Sequence, residues 1–168
     1  MQLLIIRHAI AGSREEFGAT GQDDDLRPLT HTGRARMRRG ARGLRRQAPE
    51  IQLLASSPLL RATQTAALVA AAYANMPWEE ADVLRPDASL PAFVAWLRER
   101  REREVVAVVG HEPHLSTLAS WLLTGERRPL LQIKKGAACL LDFPSTPRRG
   151  AATLHWSLTP AQLRALAS

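Results

Sequence analysis

The 168-residue chain contains one cysteine, one tyrosine and only two lysines, and it has no apolar run long enough to form a membrane span. With Cys139 alone, an internal disulfide is impossible and a cysteine-based zinc site is not expected. Cys139 sits in Ala137-Ala138-Cys139-Leu140-Leu141, where it reads as a small core residue. The first apolar run, Leu3 to Ile6, ends at Arg7 and is too short for a signal-peptide core, so a cytoplasmic location without a membrane partner is expected. Aromatic residues make up 5% of the chain and do not interleave with its arginines, and no recognised binding motif accompanies them, so nucleic acid is not an expected partner.

Arginine is abundant. The formal net charge of +7 is carried almost wholly by it, since Lys134 and Lys135 are the only lysines, and an anionic substrate or partner fits this balance. The densest cluster is Arg34, Arg36, Arg38, Arg39, Arg42, Arg45 and Arg46. Met37, Ala41, Leu44 and Ala48 recur among them at helical spacing, so these arginines read as the solvated faces of an amphipathic helix.

The length suits one domain spanning residues 1–168. Gln2 to Ile6 reads as a short buried strand that delivers Arg7 and His8 at its end. Residues 11–29 read as a long polar loop that starts beside His8 and is placed to wall a site. Asp23 and Asp25 within it have no preceding apolar strand to hold them as an aspartyl-nucleophile pair. Thr30 caps a helix from His31 to Gln47, which stops before Pro49. A strand from Ile51 to Ala55 precedes Ser57 as cap and Pro58 as first residue of a helix to Ala74, with Arg61 in its first turn. Val83-Leu84 reads as a short third strand, residues 85–89 as a turn, and Leu90 to Arg101 as a helix. Val105 to Val109 is a continuous apolar strand ending in Gly110-His111, and Pro113 starts the next helix. Beyond Pro129, strand-like segments at 131–134, 137–143 and 152–156 suggest a hairpin or antiparallel extension, and residues 160–167 a closing helix.

Three strand-to-helix junctions thus present Arg7 and His8, then Arg61, then His111. If their strands are neighbours in a parallel sheet, two arginines and two histidines meet in one crevice at the strands' carboxyl ends. That set suits a phosphoryl group, because guanidinium groups bond phosphate oxygens bidentately and one histidine can attack phosphorus.

Arg7-His8-Ala9 resembles the Arg-His-Gly signature of the histidine phosphatase (phosphoglycerate mutase-like) superfamily. Arg27-Pro28-Leu29-Thr30 with Gly33, Ser57-Pro58 with Arg61-Ala62 and Gln64-Thr65, and Gly110-His111 resemble its short bacterial phosphohistidine phosphatase branch. The resemblance covers residues 2 to about 120. It implies an α/β fold: a mostly parallel central sheet with helices on both faces, to which the C-terminal strands add an antiparallel strand or hairpin. It also implies no metal and no cofactor, with His8 as nucleophile, Arg7 and Arg61 on the phosphoryl oxygens, and His111 completing the phosphate pocket. Ala9 departs from the family's glycine, and its methyl introduces strain if that position requires a positive φ. His114 and His155 match no role; His155 alternates with Leu154 and Trp156 and reads as structural.

In the expected mechanism His8 is neutral, its other ring nitrogen is bonded to a backbone carbonyl, and His111 is protonated. Larger superfamily members supply a carboxylate before their third helix. Asp87 is the corresponding candidate acid here, with Asp25 and Glu112 behind it. An imidazole leaves with less proton assistance than an alcohol, so a site with a weakly placed acid suits P–N bonds. The expected substrate is therefore phosphohistidine on a protein, a phosphotransfer domain or phosphocarrier. The alternatives are a small or polyanionic phosphate compound, and a catalytically idle phosphate-binding module.

Overall fold

The computed structural model describes residues 1–48 and 50–167; Pro49, read above as the stop of the arginine-rich helix, lies outside them. Strands β1 (Gln2–Arg7), β2 (Leu53–Ser56), β3 (Glu79–Glu80), β4 (Val105–Gly110), β5 (Ala138–Asp142) and β6 (Thr153–Leu158) form one sheet in the order β3-β2-β4-β1-β5-β6. The first four run parallel, and β5 and β6 extend the sheet antiparallel. Between them lie helices α1 (Arg14–Gly18), α2 (His31–Gln47), α3 (Leu60–Ala72), α4 (Leu90–Arg98), α5 (His114–Thr124) and α6 (Pro160–Leu166).

β1 and β4 occupy the centre, covered on both faces, which is why both read as unbroken apolar runs. Leu3, Ile5, Val106 and Val108 pack with Phe93, Leu97, Leu115 and Leu118 of α4 and α5. Leu4, Ile6, Ala107 and Val109 point the other way, against Met37 and Leu44 of α2, Ala66 and Val69 of α3, and Leu163 of α6. The side-chain period of two thus divides each strand between two cores. Among the described residues no helix is long and apolar enough to cross a membrane.

Several boundaries differ from the sequence reading. Val83-Leu84 is not a strand: it belongs to a 3-10 turn over Asp82–Leu84 whose Leu84 is fully buried, and the edge strand is the preceding Glu79–Glu80. Residues 131–134 form no strand, because β5 already pairs with β1 on one side and β6 on the other. α3 begins at Leu60 without a side-chain cap, because Leu59 holds the cap position; the Ser57 hydroxyl accepts from the Leu59 amide at 3.4 Å and meets His111. The loop over residues 11–29 contains α1, capped by Ser13, and a 3-10 turn at Asp24–Leu26, capped by Asp23.

Two glycines permit close approach. A Cβ at Gly33 would lie 2.0 Å from the Ile10 carbonyl oxygen, and one at Gly43 would lie 1.8 Å from that of Leu163. The second contact is the seam between α2 and α6. Gly43→Ala is therefore expected to destabilise the protein by about 1–3 kcal/mol, read as a lower urea midpoint, because backbone must shift to admit the methyl; an unchanged midpoint would show that α6 moves away freely.

Candidate active site

Arg7 ends β1 directly opposite Gly110, the end of β4, and the His8 amide donates to the Gly110 carbonyl at 3.0 Å. His8 is buried, and its Nδ1 lies 2.7 Å from the carbonyl oxygen of Ala9. A carbonyl only accepts, so this contact assigns the proton to Nδ1 and leaves the lone pair on Nε2. Burial pushes the His8 pKa down to about 3, aided by the neighbouring Arg61, Arg7 and Lys135 and opposed by the bond to Ala9. The ring is neutral at ordinary pH.

His111 follows β4. Its ring centroid is 5.1 Å from that of His8, and its Nε2 lies 2.8 Å from the Ser57 hydroxyl at the end of β2, while its buried Nδ1 has no hydrogen-bond partner. Burial first, then the adjacent His8 and Arg61, push its pKa down to about 2. Burial and these neighbours favour the neutral ring, whereas the protonated His111 expected from the sequence is a ring with a phosphoryl group beside it.

Arg61 projects from the first turn of α3 and is almost wholly buried. Its Nη1 donates to the Asp24 carbonyl at 2.8 Å and its Nη2 pairs with the Asp24 carboxylate at 3.1 Å. The same carboxylate accepts from Arg27 Nε at 2.7 Å, and Arg27 in turn donates to the Gly12 carbonyl. Asp24 is held below the usual carboxylate range chiefly by Arg27. Arg7 donates to the Ile133 carbonyl at 2.9 Å, and the buried Nε atoms of both Arg7 and Arg61 have no partner. Burial lowers the pKa of both, but guanidinium groups remain charged in proteins. Thr65 of α3 ties the two junctions together, accepting from the Ala9 amide at 3.0 Å and donating to the Arg61 carbonyl at 2.7 Å.

Arg7, His8, Arg27, Arg61 and His111 line a cleft of about 370 Å³, joined in its wall by Arg14, Lys135 and Glu112. Arg7, His8, Arg61 and His111 are brought together as read from the sequence. Asp87 is not. It is exposed and does not line the cleft, although its neighbour Pro86 does. Asp25 is paired with Arg85 at 3.0 Å. Glu112 is the carboxyl that does line the cleft: half-buried, it accepts from the Ser116 hydroxyl, and burial raises its pKa. Ala9 is buried with no positive φ, the non-glycine residues in that region being Ala74 and Asn75 among those described, so its methyl introduces no such strain. His155 is exposed on the edge strand β6, Cys139 is buried, and burial pushes its thiol up to about 12.

Asp24, Arg27, Ser57 and Lys135 have no part in the site as read from the sequence, where Ser57 serves only as a helix cap. Arg27 and Ser57 sit inside the matched motifs, and Lys135 is one of two lysines in an arginine-rich chain, but Asp24 had only an acidic loop to mark it. Among the described residues no group of three or more His, Cys, Asp or Glu is placed to hold a metal ion.

The depressed pKa values of His8 and His111, joined by that of buried His114, couple stability to pH. Below about pH 6.5 the unfolded chain binds protons at His8 and His111 that the native state refuses until about pH 3 or lower, so stability falls as pH falls through that window, by up to about 1.4 kcal/mol for each of these two per pH unit, and the lowered His114 acts in the same direction. Glu112, with its raised pKa, offsets part of this. Urea denaturation at pH 7.5 and pH 5 is expected to show the loss; equal stability at both would mean that the rings titrate normally.

Residues 3–86 match the profile of the histidine phosphatase superfamily (branch 1). The chain is 31% identical to the phosphohistidine phosphatase SixA of Escherichia coli K12, over 98% of this chain and 97% of that protein. The structure of SixA complexed with tungstate superposes with a TM-score of 0.83 at 29% identity, covering 97% of this chain and 99% of the other. The α-ribazole phosphatase of Shigella flexneri shares the fold, with a TM-score of 0.73 at 18% identity over 95% and 97% of the two chains. Sequence motif, sheet topology and whole-chain similarity therefore agree that the chain belongs to the histidine phosphatase superfamily and is a metal-independent phosphatase.

Proposed function

We propose that this phosphatase hydrolyses phosphohistidine on a protein through a covalent intermediate on His8. The observation that carries the nucleophile is the 2.7 Å bond from His8 Nδ1 to Ala9, which leaves Nε2 unprotonated on a ring kept neutral. The Nε2 lone pair forms a bond to phosphorus while the substrate P–N bond breaks, its electrons passing to the departing imidazole, which takes up a proton. Water then attacks phosphorus, the P–Nε2 bond returns its electrons to His8, and inorganic phosphate leaves. Arg7 and Arg61 line the cleft as cations that would meet the phosphoryl oxygens, which suits charge that grows in transfer. The bound phosphoryl dianion opposes the cations that keep His111 neutral, and so favours a protonated ring that donates to it.

Glu112 takes the place of Asp87 as the group that moves protons, since it alone of the three considered carboxyls lines the cleft and its raised pKa lets it hold a proton nearer neutrality. Whole-chain similarity to SixA supports a P–N rather than an ester substrate. The cationic lining of Arg7, Arg14, Arg27, Arg61 and Lys135 is the observation that favours a second reading, a small polyanionic phosphate compound.

His8→Ala is expected to lower kcat by roughly 10^4-fold or more on any true substrate, as removal of a nucleophile does. Wild type and variant are compared on a histidine-phosphorylated phosphotransfer domain and on an aryl phosphate. Hydrolysis of both by the variant at wild-type rates would remove His8 from the chemistry, and hydrolysis of the aryl ester alone by wild type would remove the protein substrate.

Glu112→Gln is expected to cost about 10²-fold in kcat on an alkyl phosphate ester and less on phosphohistidine, because the alcohol leaving group needs the proton more. An equal loss on both would instead give Glu112 a positioning role.

A further inference from the structure

A second cavity, about 510 Å³, adjoins the cleft. Its wall is one face of α2, its far side is the start of α6, and its near side is the segment 134–136. That segment divides the two cavities and is strapped to the end of β1: the Gly136 amide donates to the carbonyls of Arg7 and His8, at 3.2 and 3.1 Å. Arg7 and Lys135 line both cavities. A molecule whose phosphoryl group lies against His8 therefore has its flank at this second opening.

The chemistry of the cavity is specific. Arg36, Lys134 and Arg164 add three cations to the shared pair, and among the described residues no carboxylate lines it. Ile10, Met37 and Pro160 provide an apolar floor. The space exists partly because Gly40 contributes no side chain: a Cβ there would meet nothing within 4 Å. Cations on a rim around an apolar floor match an acidic segment that also offers an apolar side chain.

Resting on the protein-substrate reading above, we infer that this cavity is the docking site for an acidic, amphipathic segment flanking the phosphohistidine of the substrate protein. Free phosphohistidine is too small to fill both cavities, so it engages the catalytic cleft alone and the second cavity serves only protein substrates. It adds binding energy remote from the reacting atoms and selects among phosphorylated proteins by the charge and apolar character of the flanking chain.

Two variants leave the catalytic groups intact. Gly40→Leu fills the cavity from within a helix, where leucine is a better helix former than glycine, and the double variant Arg36→Glu with Lys134→Glu reverses two exposed rim charges. For each, KM for a histidine-phosphorylated phosphotransfer domain with an acidic flank is expected to rise about tenfold, with kcat and the hydrolysis of free phosphohistidine within about twofold of wild type. Equal losses on both substrates would mean that the substitutions act through the catalytic cleft, and no change on the domain would mean that the cavity is unused; either result overturns the inference while leaving the protein-substrate reading in place. A KM rise confined to a sugar bisphosphate would assign the cavity to a second phosphate instead. Failure of wild type itself on the phosphorylated domain, with an aryl phosphate hydrolysed, would remove the reading and the docking site together.

Discussion

The parallel pairing of β1 with β4, which sets Arg7 opposite Gly110, is the constraint from which the site follows. It brings two strand ends to the same level, so that the next residue on each, His8 and His111, places its ring beside the other. The pairing of β2 with β4 sets Ser56 opposite Val109 and brings Ser57 within hydrogen-bond reach of His111. A slip of one residue in either register would reverse every side chain on the strand and send the histidines away from the crevice. Because both faces of β1 and β4 are buried, such a slip would expose core leucine and valine on neither side but misplace them on both, which is a strong reason for the register to hold.

Around that frame the charges are arranged to do two things at once. Arg7, Arg27, Arg61 and Lys135 gather positive charge in a cleft where a phosphoryl group can use it. The same field, added to burial, keeps both histidines neutral. For His8 this is what a nucleophile requires, since a protonated imidazole has no lone pair to give. Asp24 moderates the repulsion among the cations, binding Arg61 and Arg27 with one carboxylate. It also fixes the direction of the Arg61 guanidinium, whose remaining N–H groups are then the ones left to face an oxyanion.

The central strands, with Arg7, His8 and His111 at their ends, were legible in the sequence for a physical reason, as was Arg61 in the first turn of α3. A strand buried on both faces must be apolar throughout, so Leu3–Ile6 and Val105–Val109 stand out, and the polar residues that interrupt them stand out as well. What depended on tertiary pairing was not legible. Residues 131–134 carry strand-forming side chains but have no free ladder to join. Val83-Leu84 owes its apolar character to burial in a 3-10 turn. Ser57-Pro58 carries a helix-start signal, yet the serine hydroxyl serves His111 across the sheet. The choice among carboxyls depended on tertiary structure too: the resemblance favoured Asp87, whereas burial and cleft geometry favour Glu112, and neither can be read from neighbours in the chain. Lys135 enters the cleft only because segment 134–136 folds back on β1.

The central claim is that His8 carries the phosphoryl group, and the most direct measurement is to trap it there. Wild-type enzyme mixed with a radiolabelled histidine-phosphorylated domain and quenched in alkali within the first turnover is predicted to carry label on the peptide containing His8, in an acid-labile form. Label on the peptide containing His111, or turnover with no labelled enzyme at any time, would contradict the account.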